Sequence, residues 1–161
     1  MTGLSLLGVP IHLRPAALVS GVLSAVVVAR LTQDHRTVLS IGAGLLWYTA
    51  DCTHVVGHIF SSQAVGAPLD AVDFGLYPKS VYYENDVAPQ QHIGRASGGV
   101  IASFTAALFC AFLATLVRHE LIRKLITIAA VQHAILFVLS TLPIPIVDGG
   151  VILANIRKLH A

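Results

Sequence analysis

Residues 37–60 read TVLSIGAGLLWYTADCTHVVGHIF, and the reading of this run decides the fold. Its 24 residues are enough to cross a bilayer as a helix, which takes about 20 apolar residues. Asp51, His54 and His58 nevertheless sit inside it. Ionisable groups at that depth are costly to hold in lipid and therefore mark function. His54 and His58, four positions apart, fall one turn apart on one helical face, so two imidazoles can reach one metal ion. Asp51, three positions before His54, shares that face and is a candidate to accept a hydrogen bond from the far nitrogen of a ligating histidine. The same residues also fit a polar hydrogen-bond cluster between membrane helices.

Outward from this run the chain keeps the same character. Of 161 residues, 55% are hydrophobic and 11% charged, against roughly 25% charged in soluble domains. Runs at 15–31, 37–60, 97–117 and 121–142 are each read as a transmembrane helix, the first as a retained span and not a cleaved signal peptide. The connections within the first and second pairs are a few residues long, so each pair forms an antiparallel hairpin. These spans make one membrane domain, 1–161, of all-α class.

The stretch 61–95 differs. Gly66, Pro68, Gly75, Pro78, Pro89 and Gly94, with Asp70, Asp73, Glu84 and Asp86, rule out a spanning helix. Strand-like composition at 72–77 and 81–83, with a turn at 78–80, predicts a short hairpin or re-entrant flap at the membrane face. Phe74, Tyr77, Tyr82 and Tyr83 suit that interface. Beyond Leu142, Pro143 and Pro145 stop the fourth helix, and 151–159 is too short to span and lies at the interface.

A formal charge of +2 without a basic cluster excludes nucleic acid as a partner. Cys52 and Cys110 lack metal or redox spacing and read as small buried hydrophobes. His133, in the middle of the fourth span, reads as a packed, hydrogen-bonded histidine or as a ligand to something. The expected partners are the bilayer and either other transmembrane subunits or a transmembrane substrate helix. The expected location is a prokaryotic plasma membrane or an organelle membrane.

Residues 142–150, LPIPIVDGG, carry the most specific signal. Prolines unwind the chain, and unwound backbone at membrane depth is tolerated only when buried in protein or lining a cavity. Gly149 and Gly150 let Asp148 approach a facing helix. Joined to His54-x3-His58, this segment resembles the site-2 protease family of intramembrane zinc metalloproteases, in that family's order and rough spacing over 37–150. The resemblance implies that His54, His58 and Asp148 bind zinc, with Pro143, Pro145, Gly149 and Gly150 supporting them. The Gly98–Gly99 start of the third span is a softer match.

The departures are chemical. Val55 stands where the family has the glutamate general base, a group that contributes about 10²–10⁴-fold in rate. Ser140 and Ser103 stand where the family has asparagines. Asp51 as a replacement base lies about 6 Å along the axis from Val55, too far without a bridging water. The leading expectation is a site-2-protease-like pseudoenzyme, a binding or accessory subunit of a membrane complex. A second is an active zinc protease with an unusual base. A third is a small subunit carrying haem or a chlorophyll-type pigment on His54 or His133. Convergence of Asp148 with both histidines favours the metal; an outward-facing His54 or His133 favours the pigment. Family analogy puts the site toward the cytoplasm, whereas the basic turns, with Arg30, Arg36, Arg118, Arg123 and Lys124, would then face outward, against the positive-inside rule.

Overall fold

The computed structural model describes residues 4–83 and 85–160, so Glu84 of the acidic loop lies outside the described residues. Five helices and four short strands follow in the order β1 (Ser5–Leu6), β2 (Val9–Leu13), α1 (Ala17–Leu31), α2 (Arg36–Ala64), β3 (Ala71–Phe74), β4 (Pro78–Val81), α3 (Pro89–Leu116), α4 (Glu120–Thr141) and α5 (Asp148–Leu159). The all-α expectation is thereby corrected: a mixed four-stranded sheet, ordered β1-β2-β3-β4, accompanies the helices. β2 pairs with β3 in parallel, and both outer pairs are antiparallel.

Local sequence explains the departures. Leu7 and Gly8, at φ 51° and 83°, form a two-residue turn between β1 and β2. Positive φ at both central residues matches the right-handed twist of the flanking strands. The second hairpin turns at 75–77, not at 78–80, and Pro78 opens β4 opposite Phe74. Proline lacks an N–H and is accepted at the first residue of an edge strand. α3 begins at Pro89, eight residues before the expected 97, because proline fits the first helical position and Gln91 Oε1 caps the Ala88 N–H at 3.1 Å.

α3 and α4 are long and apolar enough to cross a membrane. Only about a fifth of each apolar window is covered by the protein (17% and 22%), so these are not core helices of a soluble domain. Ile101, Leu108, Phe109 and Phe112 on α3, and Val131 and Val138 on α4, stand exposed, as lipid contacts require. The chain is a membrane protein. α1 is apolar but has 15 residues, about 22 Å of helix. α2 has ample length at 29 residues, and the polar side chains Asp51, His54 and His58 dilute its hydropathy.

The two helical hairpins lie side by side. Lys124 at the start of α4 reaches Asp34 in the α1–α2 turn at 3.7 Å, so both short turns share one end of the bundle. The sheet and α5 occupy the other end. There Val9, Val72 and Phe74 pack with Leu69 on Val55 and Ile59 of α2, forming the apolar core. Cys52 and Cys110 are half-buried, a correction to the expectation that both are buried.

Candidate metal centre

α2 and α3 cross where neither has a side chain. A Cβ at Gly57 would collide with the Gly98 carbonyl, and one at Gly98 with Ser61 Oγ and the Gly57 carbonyl. This close approach brings Gly99 under the imidazoles. A Cβ there would strike His58 Nε2 and come within 2.6 Å of His54 Nε2, so a glycine keeps open the space in front of both rings.

Asp148 arrives from the connection between α4 and α5. The Val147 N–H donates to the Ile144 carbonyl at 3.1 Å, a tight turn with Pro145 at its second position, where its fixed φ fits. α5 starts immediately, with Asp148 in its first turn, where the helix dipole favours a carboxylate. A Cβ at Gly149 would stand 2.6 Å from the Leu142 carbonyl oxygen, and one at Gly150 would collide with the Ile144 carbonyl, so the Gly-Gly pair lets this helix sit on its own turn.

The result is a cluster of three side chains, His54 and His58 buried and Asp148 half-buried. His54 Nε2 and His58 Nε2 lie 3.0 Å apart. Asp148 Oδ2 is 3.2 Å from the first and Oδ1 3.4 Å from the second. Among the described residues, this is the group of histidine, cysteine and acidic side chains that could hold a metal ion, all within 4.8 Å of one another. His58 Nδ1 donates to the Arg95 carbonyl at 2.8 Å, which fixes the tautomer and leaves the Nε2 lone pair facing inward. His54 Nδ1 is 2.9 Å from Ser103 Oγ.

This donor set fits a divalent cation. Two imidazole nitrogens and a carboxylate, all acceptors in their neutral and ionised forms, converge on one point and repel unless a cation or added protons lie between them. Zinc–nitrogen bonds of about 2.0–2.1 Å in tetrahedral geometry put neighbouring ligand atoms about 3.3 Å apart. The Nε2–Nε2 separation of 3.0 Å lies close to that edge, and each Nε2 has its own Asp148 oxygen at a similar distance, 3.2 or 3.4 Å.

Other expected residues fall differently. Asp51 does not orient either imidazole, because Ser103 and the Arg95 carbonyl take those places. Its Oδ1 is buried without a hydrogen-bond partner among the described residues. Ser140 Oγ donates to the Phe137 carbonyl of its own helix at 3.0 Å, and no described contact brings it to the cluster. Pro143 and Pro145 lie in the α4–α5 connection. His133 is buried, with Nδ1 unpartnered among the described residues. Val55 is 1% exposed and packs in the apolar core. Arg95 went unnoticed in the sequence as a site residue, since its contribution is a backbone carbonyl, which no side-chain pattern reveals.

No family model matches the chain, and no curated protein matches it. Among solved structures, the fold is similar to that of a site-2 protease from Methanocaldococcus jannaschii, with a TM-score of 0.73 over 97% of this chain and 70% of that one. Sequence identity is 16%, so the likeness is one of fold. The chain is thus a membrane protein with a site-2-protease-like fold and a His-His-Asp cluster suited to a metal ion.

Proposed function

We propose that this protein is a degenerate member of the site-2 protease family, with four membrane-crossing helices, that holds one zinc ion on His54, His58 and Asp148 and serves as a binding or accessory subunit in a membrane complex. The observation that carries the proposal is the convergence of His54 Nε2, His58 Nε2 and an Asp148 carboxylate oxygen within 4.8 Å. That convergence, with His54 and His133 both buried, favours a metal over a pigment held by an outward-facing histidine. Bound zinc would supply Lewis acidity at a fourth, open position.

The protein's own residues supply less than hydrolysis needs. The side chain after His54 is valine, which neither takes nor gives a proton. Asp51 Oδ1 has no hydrogen-bond partner among the described residues and neither imidazole pairs with Asp51, so no described contact on α2 brings a base to the cluster. What persists is the means to hold and orient a metal: Ser103 and the Arg95 carbonyl behind the imidazoles, and Gly99 in front of them.

Zinc per chain, measured on protein purified in mild detergent beside a His54→Ala, Asp148→Ala double variant, tests the metal reading. Near-stoichiometric zinc in the wild type, lost in the variant and without a visible band, is the expected result. Absence of zinc, or a strong pigment band, would overturn it. Inactivity is tested separately, by incubating the zinc-loaded protein with transmembrane peptides. Chelator-sensitive cleavage would refute the pseudoenzyme assignment and leave the metal site standing.

A further inference from the structure

We infer that Arg95 is a positioning residue that couples the 65–88 connection to the metal ligand His58; the inference rests on the metal-site reading above. Arg95 lies near the start of α3 and is 4% exposed. Its backbone carbonyl accepts the Nδ1–H of His58 at 2.8 Å and the hydroxyl of Ser61 at 3.1 Å. Its side chain runs into the connection. Nε donates to the Ala67 carbonyl at 2.6 Å, a terminal nitrogen donates to Asn85 Oδ1 at 3.3 Å, and the guanidinium sits 4.1 Å from the centroid of the Tyr82 ring. One residue thus holds a ligand by its backbone and both flanks of the β3–β4 hairpin by its side chain.

The chemistry makes this join stiff. A guanidinium donates through a rigid planar fork and stacks on aromatic rings, so it fixes direction as well as distance. A buried cation separated from its partners is strongly disfavoured, so the segment moves with the side chain and not away from it. Tyr82 also packs on the apolar core that contains Val55 and Ile59, which ties the far side of the hairpin to α2. A displacement of the connection is therefore transmitted through α3 at Arg95 to the carbonyl that sets the His58 ring. Coupling of two sites is reciprocal: if the connection biases His58, metal on His58 must bias the connection.

That reciprocity separates a positioning role from mere fastening of a loop. The test uses the full chain in detergent, with zinc and cobalt as probes, comparing wild type, Arg95→Met, Arg95→Lys and Tyr82→Leu. Affinity comes from chelator competition, ligand geometry from the cobalt visible spectrum, and loop order from amide exchange across 65–88 with and without zinc. Loss of an outer partner of a ligating histidine typically costs 10–100-fold in affinity, and the retained carbonyl places Arg95→Met near the lower end, at about 10-fold. Arg95→Lys recovers part of the loss, and zinc slows exchange across 65–88 in wild type but no longer in Arg95→Met. If Arg95→Met does not fold, Tyr82→Leu carries the test with the same losses at smaller size. Wild-type affinity and cobalt spectrum in the folded variants, or exchange in wild type that ignores zinc, would overturn the inference. A wild type that takes up no zinc at all would instead overturn the metal reading beneath it.

Discussion

The hydroxyl of Ser103 stands behind His54 as the Arg95 carbonyl stands behind His58, 2.9 Å from Nδ1. Ser103→Ala should therefore weaken zinc binding by about 10–100-fold, since the ring loses the partner that fixes its orientation. Chelator competition measures this, and an unchanged affinity would show that packing alone orients His54. In front of the rings the control is steric. Gly99→Ala places a methyl group against both Nε2 atoms, so it should abolish stoichiometric metal uptake while leaving helix content unchanged by circular dichroism. A Gly99→Ala protein that still binds one zinc would mean the rings sit farther from α3 than described. The two histidines and Asp148 were legible in the sequence because helical spacing and the Pro/Gly-rich approach constrain where they can go. The role given to Asp51 was not legible. Periodicity tells which side of a helix a residue occupies, not which neighbour reaches an imidazole first, and the Gly57–Gly98 crossing brings α3 there.

At the level of elements, the long helices and the β3–β4 hairpin were readable, and the first two strands were not. Long apolar stretches signal helices by length alone. β1 and β2 are two and five residues long, and the pairing of β2 with β3 bridges more than fifty positions of sequence. No local pattern announces such a pairing. The end of β2 is joined to β3 by charge: the Arg14 guanidinium makes two bonds to the Asp73 carboxylate, at 2.8 and 2.7 Å, and the Arg14 N–H donates to the Phe74 carbonyl at 2.8 Å. The hydrogen bond from Arg14 holds the Asp73 carboxyl below its ordinary value of 3.8, and Asp73 in turn raises Arg14. A carboxylate depressed in the folded state contributes stability above its unfolded value and loses it as pH falls through the lower folded value. The pair lies at the surface, so salt screens it and its contribution is small. Asp73→Asn should thus lower the unfolding midpoint slightly at neutral pH and low salt. The difference should shrink in high salt and vanish well below pH 3.8. A difference that persists in strong acid would assign the effect to neutral hydrogen bonding instead of charge.

For the whole molecule, the two helical hairpins followed from short connections, and their parallel placement did not, because it depends on contacts between residues far apart in sequence. Gln132 shows how they are joined. From α4 its side-chain nitrogen donates to Ser24 Oγ of α1 at 2.8 Å and to the Ala43 carbonyl of α2 at 2.8 Å, so one amide links three helices. Hydrogen bonds between membrane helices contribute about 0.6 kcal/mol on average, because the separated helices also find partners. Two effects reduce the loss further. Ser24 Oγ keeps its own bond to the Ala43 carbonyl at 3.3 Å, and Gln132 Oε1 is buried without a partner among the described residues, so its removal relieves a cost. Gln132→Leu should therefore destabilise the protein by no more than about 1 kcal/mol. Ala43 precedes His54 by eleven residues, about 16 Å along the helix, and the metal cluster is built by α2, α3 and the start of α5 at the sheet end. Zinc stoichiometry and affinity should consequently match the wild type. Equilibrium unfolding in mixed detergent, run beside chelator competition, measures both quantities on one preparation. If Gln132→Leu lost zinc affinity as well as stability, the metal centre would depend on how the two hairpins pack along their length, and not on the Gly57–Gly98 crossing and the Asp148 turn alone.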